Sequence, residues 1–239
     1  MRSAVRQELF PAAPVFVLPM VGPERLTGMV PSGRFLTTNR LHMVNAVGAV
    51  SAGAQHVGGA STRFDGASCL RLDTTSTDTS TTYLDAVALT VCAWIKPAVA
   101  FTGTVAARGA GSASFLNRNF TLFASAGDML VRYFNGTQSR LATTSGVTFP
   151  IGVWTHVAGV MQAGTTYGFK NGSQVVSSST SGNANTNDRL LVVGGLSSNN
   201  GETTWDTLFN GDMAHLAIWN RALTHGEVVN HMAATSPFA

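Results

Sequence analysis

The sequence predicts an all-β protein, a two-sheet antiparallel sandwich of jelly-roll type with one short C-terminal helix and an N-terminal arm. Three observations carry this. Apolar residues recur with period two in many short segments, as half-buried strands require. Turn signals such as Gly127-Asp128, Asn135-Gly136 and Asn171-Gly172 punctuate those segments, at a spacing of roughly eight to twelve residues that suits sandwiches and barrels. A single segment carries helix signals, and it lies near the C-terminus, so helices do not alternate with strands as they would in a parallel sheet.

Taken in order, residues 1–13 read as an arm and residues 14–239 as one domain. The arm turns from polar to apolar, and Arg2, Arg6, Leu9 and Phe10 are its candidate docking residues. Val15 to Met20 is a short strand bounded by prolines. Residues 22–45 are expected to be irregular, because Gly22-Pro23, Gly28, Pro31 and Gly33 interrupt them. Residues 46–60 are rich in Gly, Ala and Val and read as flexible. From Thr62 the period becomes two, and Arg63–Gly66 with Ser68–Asp73 are expected to form a strand pair. Thr74–Thr82 is a Ser/Thr/Asp run that reads as an exposed loop. Leu89–Pro97 alternates, with Leu89, Val91, Ala93 and Ile95 on one face and Thr90, Cys92, Trp94 and Lys96 on the other. Further strands are expected at 103–108, 119–124, 129–134, 140–144, 154–162, 165–170, 173–178, 189–193 and 211–220. Thr224, with Glu227 three residues on, marks a helix start ahead of Val228-Val229-Asn230-His231-Met232.

Composition narrows the functional classes. The 239 residues are 44% hydrophobic and only 11% charged, against about 25% charged in an average soluble domain. A neutral polar surface gives copies little mutual repulsion, which favours a homo-oligomer. The net charge is +3, yet Lys and Arg are scattered. The clustered basic face that nucleic-acid binding needs is missing from the pattern. No run approaches the ~18 apolar residues of a membrane span, and the charged start of the chain does not read as a signal peptide. Cys69 and Cys92 both sit in alternating runs. They read as buried thiols, or as a disulfide if their strands lie side by side.

Five stretches together resemble a known family. They are Gly58-Gly59-Ala60-Ser61-Thr62-Arg63-Phe64-Asp65-Gly66, Leu89-Thr90-Val91-Cys92-Ala93-Trp94-Ile95-Lys96-Pro97, Trp154-Thr155-His156-Val157-Ala158, Phe169-Lys170-Asn171-Gly172 and Ile218-Trp219-Asn220-Arg221-Ala222-Leu223-Thr224. In this order they are similar to the laminin-G-like, concanavalin A-like jelly-roll domains, from about residue 45 to the end. Members often carry an acidic pair before the last strand, where this chain has Ala214 and His215, and an Asp in the hairpin, where it has Asn171. The resemblance therefore implies the fold but no calcium site, since a hard cation needs those carboxylates.

The residues offer little catalysis. Glycoside hydrolysis on this fold needs two carboxylates about 5–5.5 Å apart, and Glu8, Glu24, Glu202 and Glu227 are widely separated. Asp65, Asp73, Asp78 and Asp85 read as turn and cap residues. The histidines His42, His56, His156, His215, His225 and His231 show no metal-ligand spacing. No catalytic residue, cofactor or metal site is expected. Trp205 invites a ligand: an indole near Asn199, Asn200 and Asp206 can stack and hydrogen-bond a sugar, or else pack on its own loop or a neighbouring subunit. Two functions follow as expectations. The first is a non-enzymatic virion protein on the outer surface of a bacteriophage particle: a capsid decoration, minor capsid or tail accessory protein docking on major capsid or tail proteins through its arm. The second is an extracellular carbohydrate-binding or adhesion module with glycans as partners.

Overall fold

The computed structural model describes residues 16–18, 27–28, 41–53, 61–72, 87–100, 103–109, 118–125, 128–134, 139–144, 146–162, 164–179, 190–198 and 203–236. Two antiparallel sheets face each other. One runs in the order β14 (Ser173–Ser179), β13 (Thr165–Lys170), β12 (Thr155–Gln162), β7 (Leu89–Pro97), β18 (Asn210–Trp219), β5 (Thr62–Asp65) and β4 (Ser51–Ala52), with β1 (Phe16–Leu18) also paired to β18. The other runs β11 (Ser139–Thr144), β10 (Asp128–Phe134), β9 (Arg118–Ser125), β8 (Gly103–Gly109), β15 (Leu191–Val193), β6 (Cys69–Leu72), β3 (Leu41–Val47) and β2 (Thr27–Gly28). This is the expected jelly-roll sandwich. The helix α1 (His225–Ala234) is the only one among the described residues, and it is too short to cross a membrane.

The alternation read in β7 divides its residues between two environments. Leu89, Val91, Ala93 and Ile95 point between the sheets with Phe64, Leu70, Phe120, Val131, Leu191 and Phe209. Cys92 and Trp94 point outward, and α1 covers that face, closing a second apolar layer with Ala158, Val160, Phe169, Trp219, Leu223 and Val228. A sheet face covered this way becomes apolar on both sides, so seven of the nine residues from β7's start are buried without a break.

Three expectations need correction. Residues 62–65 and 69–72 are not a strand pair: β5 belongs to one sheet and β6 to the other. Between them Gly66 takes φ +81° and the Ala67 N–H donates to Asp65 Oδ1 at 2.9 Å, so the chain turns across the sandwich rather than folding back in plane. Phe64 and Leu70 then meet in the core from opposite sides, each fully buried. The span expected to be irregular contains β2 and β3, and the span expected to be flexible contains β4. Here cross-strand pairing overrides local breakers: Met43 and Val44 of β3 lie opposite Leu72 and Arg71 of β6. The cysteines are free and lie in opposite sheets, Cys69 on β6 and Cys92 on β7, which removes the disulfide alternative.

The helix begins as its sequence indicates. Thr224 Oγ1 accepts from the Glu227 N–H, and Glu227 Oε2 accepts from the Thr224 N–H at 2.8 Å, a complete capping box. Arg221 grips the same carboxylate through two N–H groups at 3.0 and 2.7 Å. These bonds, Arg221 first, hold the Glu227 carboxyl down to about 2 from its ordinary 4.5. A depressed carboxylate stabilises the fold above its unfolded pKa and stops doing so as pH falls through its folded one. Glu227→Gln is therefore expected to cost about 1 kcal/mol at neutral pH, allowing for the partial exposure of Arg221. The difference from wild type should vanish between pH 4.5 and 2. Denaturant melts across that range check it; a difference unchanged at the lowest pH would contradict it.

Candidate functional site

The chain reaches Trp205 as it crosses from one sheet to the other. After β15 it turns at Gly194-Gly195, passes through β16 (Leu196–Ser197) and β17 (Trp205–Asp206), and enters β18. The hairpin therefore stands on the rim of the sandwich. Its base is fixed by the Thr104 N–H donating to Thr207 O at 2.8 Å and by the two threonine hydroxyls, 2.7 Å apart. Toward the tip, the Ser198 N–H donates to Thr204 O at 2.9 Å and the Ser198 hydroxyl to Thr204 Oγ1 at 2.7 Å. Thr207 sits at φ +48°, a left-handed turn supported by its N–H donating to Asp206 Oδ1 at 2.6 Å. On this frame Trp205 is partly exposed, while Thr203, Thr204 and Asp206 are exposed. Trp205 and Asp206 are consecutive in β17; Asn199 and Asn200 lie outside the described residues, as do Arg2, Arg6, Leu9 and Phe10.

The other tryptophans are committed to the interior. Trp94 is 3% exposed, Trp154 9% and Trp219 1%. Trp94 and Trp154 line a groove of about 260 Å³ beside the end of α1, with Asn171, Met232, Ala233 and Ser236. The Trp94 indole is held in place: its Nε1–H donates to Thr235 Oγ1 at 2.9 Å, and its ring packs T-shaped against His156 at 5.4 Å. Stacking needs accessible ring surface; Trp205 is partly exposed, whereas Trp94 is buried.

Beneath α1 lies an arrangement that linear spacing conceals. Cys92 of β7, His156 of β12 and His231 of α1 each offer one ligating atom, all within 4.8 Å of one another. His156 Nε2 and His231 Nδ1 are hydrogen-bonded at 3.0 Å, and His156 Nδ1 is buried with no hydrogen-bond partner. Asn171, at φ +47°, accepts the His156 N–H through Oδ1 at 2.9 Å and so fixes that strand end. Burial lowers His156 to about 3 from 6.5 and drives His231 well below its ordinary range, so both rings are neutral. Burial also pushes the Cys92 thiol far up. The sequence signals were present but weak: Cys92 and His156 fall on the outward phase of their strands, and His231 follows the buried Val228 by one helical turn. A bulge in β18 with His215 at φ +49° adds a third imidazole nearby, at the position read as replacing an acidic residue.

Four described carboxylates serve the framework. Asp65 closes a turn, Asp206 holds its own hairpin, Asp212 lies 3.8 Å from Arg63 across the strand pair, and Glu227 caps α1.

Comparison with known proteins returns one family profile, described as the concanavalin A-like lectin/glucanases superfamily, over residues 71–229. No match was found among curated proteins. Among solved structures, domain 4 of AbnA, an extracellular arabinanase of Geobacillus stearothermophilus, in complex with arabinotriose, superposes with a TM-score of 0.60 at 17% identity, covering 92% of this chain and 98% of that one. The binding domain of botulinum neurotoxin DC gives 0.64 at 9% identity in complex with rat synaptotagmin II, covering 93% of this chain and 52% of that one. In complex with SialylT it gives 0.62 at 8%, with 93% and 51% covered. This chain thus spans about half of each toxin domain. At these identities the likeness is one of fold.

Proposed function

The chain belongs to the concanavalin A-like lectin/glucanases superfamily, and from that footing we propose that it is a non-catalytic binding module that takes carbohydrate on the Trp205 hairpin. One observation carries the reading. Of the four tryptophans, Trp205 alone is not buried, and exposed Thr203, Thr204 and Asp206 flank it. An indole face shields the apolar C–H face of a sugar, while hydroxyl and carboxylate groups at its margin pair with the sugar hydroxyls. The engagement of Asp65, Asp206, Asp212 and Glu227 in turns, a cross-strand pair and a cap supports binding without hydrolysis, which needs a free pair facing a groove. Glycans displayed outside cells or on particle surfaces are the fitting partners.

A glycan array that includes arabino-oligosaccharides and sialylated glycans tests this, since solved relatives of the fold carry such ligands. The wild-type chain is expected to bind a defined subset. Trp205→Ala should weaken that binding by about ten-fold or more, equivalent to about 1.4 kcal/mol, while melting within a few degrees of wild type. An array with no hit, or equal binding by the variant, would overturn the assignment.

A second reading, docking onto protein, is favoured by an apolar patch. Val99, Ile151 and Val153 are 46%, 59% and 46% exposed, on turns joined where the Gly152 N–H donates to Pro97 O. The expected role as a particle component belongs to this reading. Its docking arm lies outside the described residues, and the relatives reported above do not bear on it.

A further inference from the structure

We propose that Cys92, His156 and His231 form a site for one Cu(I) ion, held by a thiolate and two neutral imidazoles under the C-terminal helix. The inference is independent of the carbohydrate reading. Its geometric basis is that three soft or borderline ligands from three separate elements converge within 4.8 Å, and each is at most 3% exposed. Thiolate and imidazole together select late or d¹⁰ metal ions over calcium and magnesium. The histidine nitrogens already stand 3.0 Å apart, close to the separation of two ligands on one metal ion. His156 Nδ1, on the far side of the ring from this contact, has no hydrogen-bond partner and is where the neutral ring carries its proton when Nε2 binds the ion.

Charge and coordination number choose the ion. A structural zinc site takes four protein ligands, and a three-ligand site adds water in the fourth position. Here three ligands converge in a place shielded from water. Zn²⁺ with one thiolate would also leave a net positive charge, which burial penalises. Cu(I) with one thiolate is neutral and is content with three ligands. On binding, the Cys92 S–H bond breaks, its proton leaves to solvent, and a sulfur–copper bond forms. The proton of the His156–His231 hydrogen bond moves to the other nitrogen of the ring that donates it, and the freed Nε2 and Nδ1 each bond to copper, with no change in oxidation state. The groove beside Trp94 and Trp154 gives an approach, because Trp94 rests against His156 and the Met232 thioether lines the opening.

The test titrates the reduced, metal-free full chain under anaerobic conditions with Cu(I) held as its bis-bicinchoninate complex. Wild type is expected to withdraw one equivalent, and the extended fine structure beyond the copper X-ray absorption edge to report one sulfur and two nitrogen scatterers. Cys92→Ala and His231→Gln should each weaken uptake by more than about 100-fold, above the loss typical of outer-shell partners. His225→Gln, which removes a bond to Gly172 O outside the cluster, should leave uptake unchanged. If a cluster variant fails to fold, wild-type stoichiometry and the absorption spectrum decide alone. No withdrawal by wild type, copper without sulfur in its shell, equal uptake by folded Cys92→Ala, or Zn²⁺ bound as tightly as Cu(I) would each overturn the proposal.

Discussion

Trp219→Ala is expected to lower stability by about 3–5 kcal/mol, the range for truncating a buried tryptophan. The residue ends β18, is 1% exposed and forms the centre of the layer between sheet and helix, among Cys92, Ala158, Val160, Phe169, Leu223 and Val228. Its ring also meets His231 edge-on at 5.3 Å. Removing it opens a cavity that a β-strand on one side and a capped helix on the other cannot collapse to fill. For a domain of this size the melting temperature should fall by about 10 °C, measurable by calorimetry. A change under about 1 kcal/mol would mean that α1 is not packed on this face.

Gly194→Ala should be nearly as severe, at about 2–4 kcal/mol from overpacking and backbone strain together. Gly194 lies at φ +76°, where L-residues are disfavoured, and a Cβ there would stand 2.5 Å from Cδ1 of Phe64. That ring has no room to retreat, since it is fully buried and in edge contact with Phe209 at 6.0 Å. Gly146 separates the two causes. It has a similar φ of +80° but nothing within 4 Å of its missing Cβ, so Gly146→Ala should show the conformational cost alone, about 1–2 kcal/mol. Denaturant midpoints for the two variants check this; equal costs would contradict the described contact with Phe64.

The sequence exposes those features whose signals are local. Period-two alternation located β7 because both of its faces carry recognisable sets, and Thr224 with Glu227 placed α1 because a capping box is written within four residues. Failures arose where partners are distant. The 63–73 segment looks like a hairpin because two alternating runs flank a Gly turn, and only the assembled sandwich reveals that the turn crosses between sheets. β3 carries His42 and Asn45 among its apolar residues, so its alternation is weak, and its pairing with β6 decides its structure. The same holds at the sites. Trp205 stood out as an indole among polar loop residues. Cys92, His156 and His231 are separated by 64 and 75 residues, and no linear spacing announces that strand pairing and helix docking set them together.

The central claim, carbohydrate bound on the Trp205 hairpin, is tested most directly by the indole N–H signals in proton–nitrogen correlation spectra. Four tryptophans give four such signals, assigned by single substitution. During titration with a glycan that the array identifies, the Trp205 signal is expected to shift progressively to saturation while those of Trp94, Trp154 and Trp219 hold their positions. Shifts confined to Trp94 and Trp154 would place the ligand in the groove beside the helix, and an unmoved Trp205 signal at saturation would contradict the account.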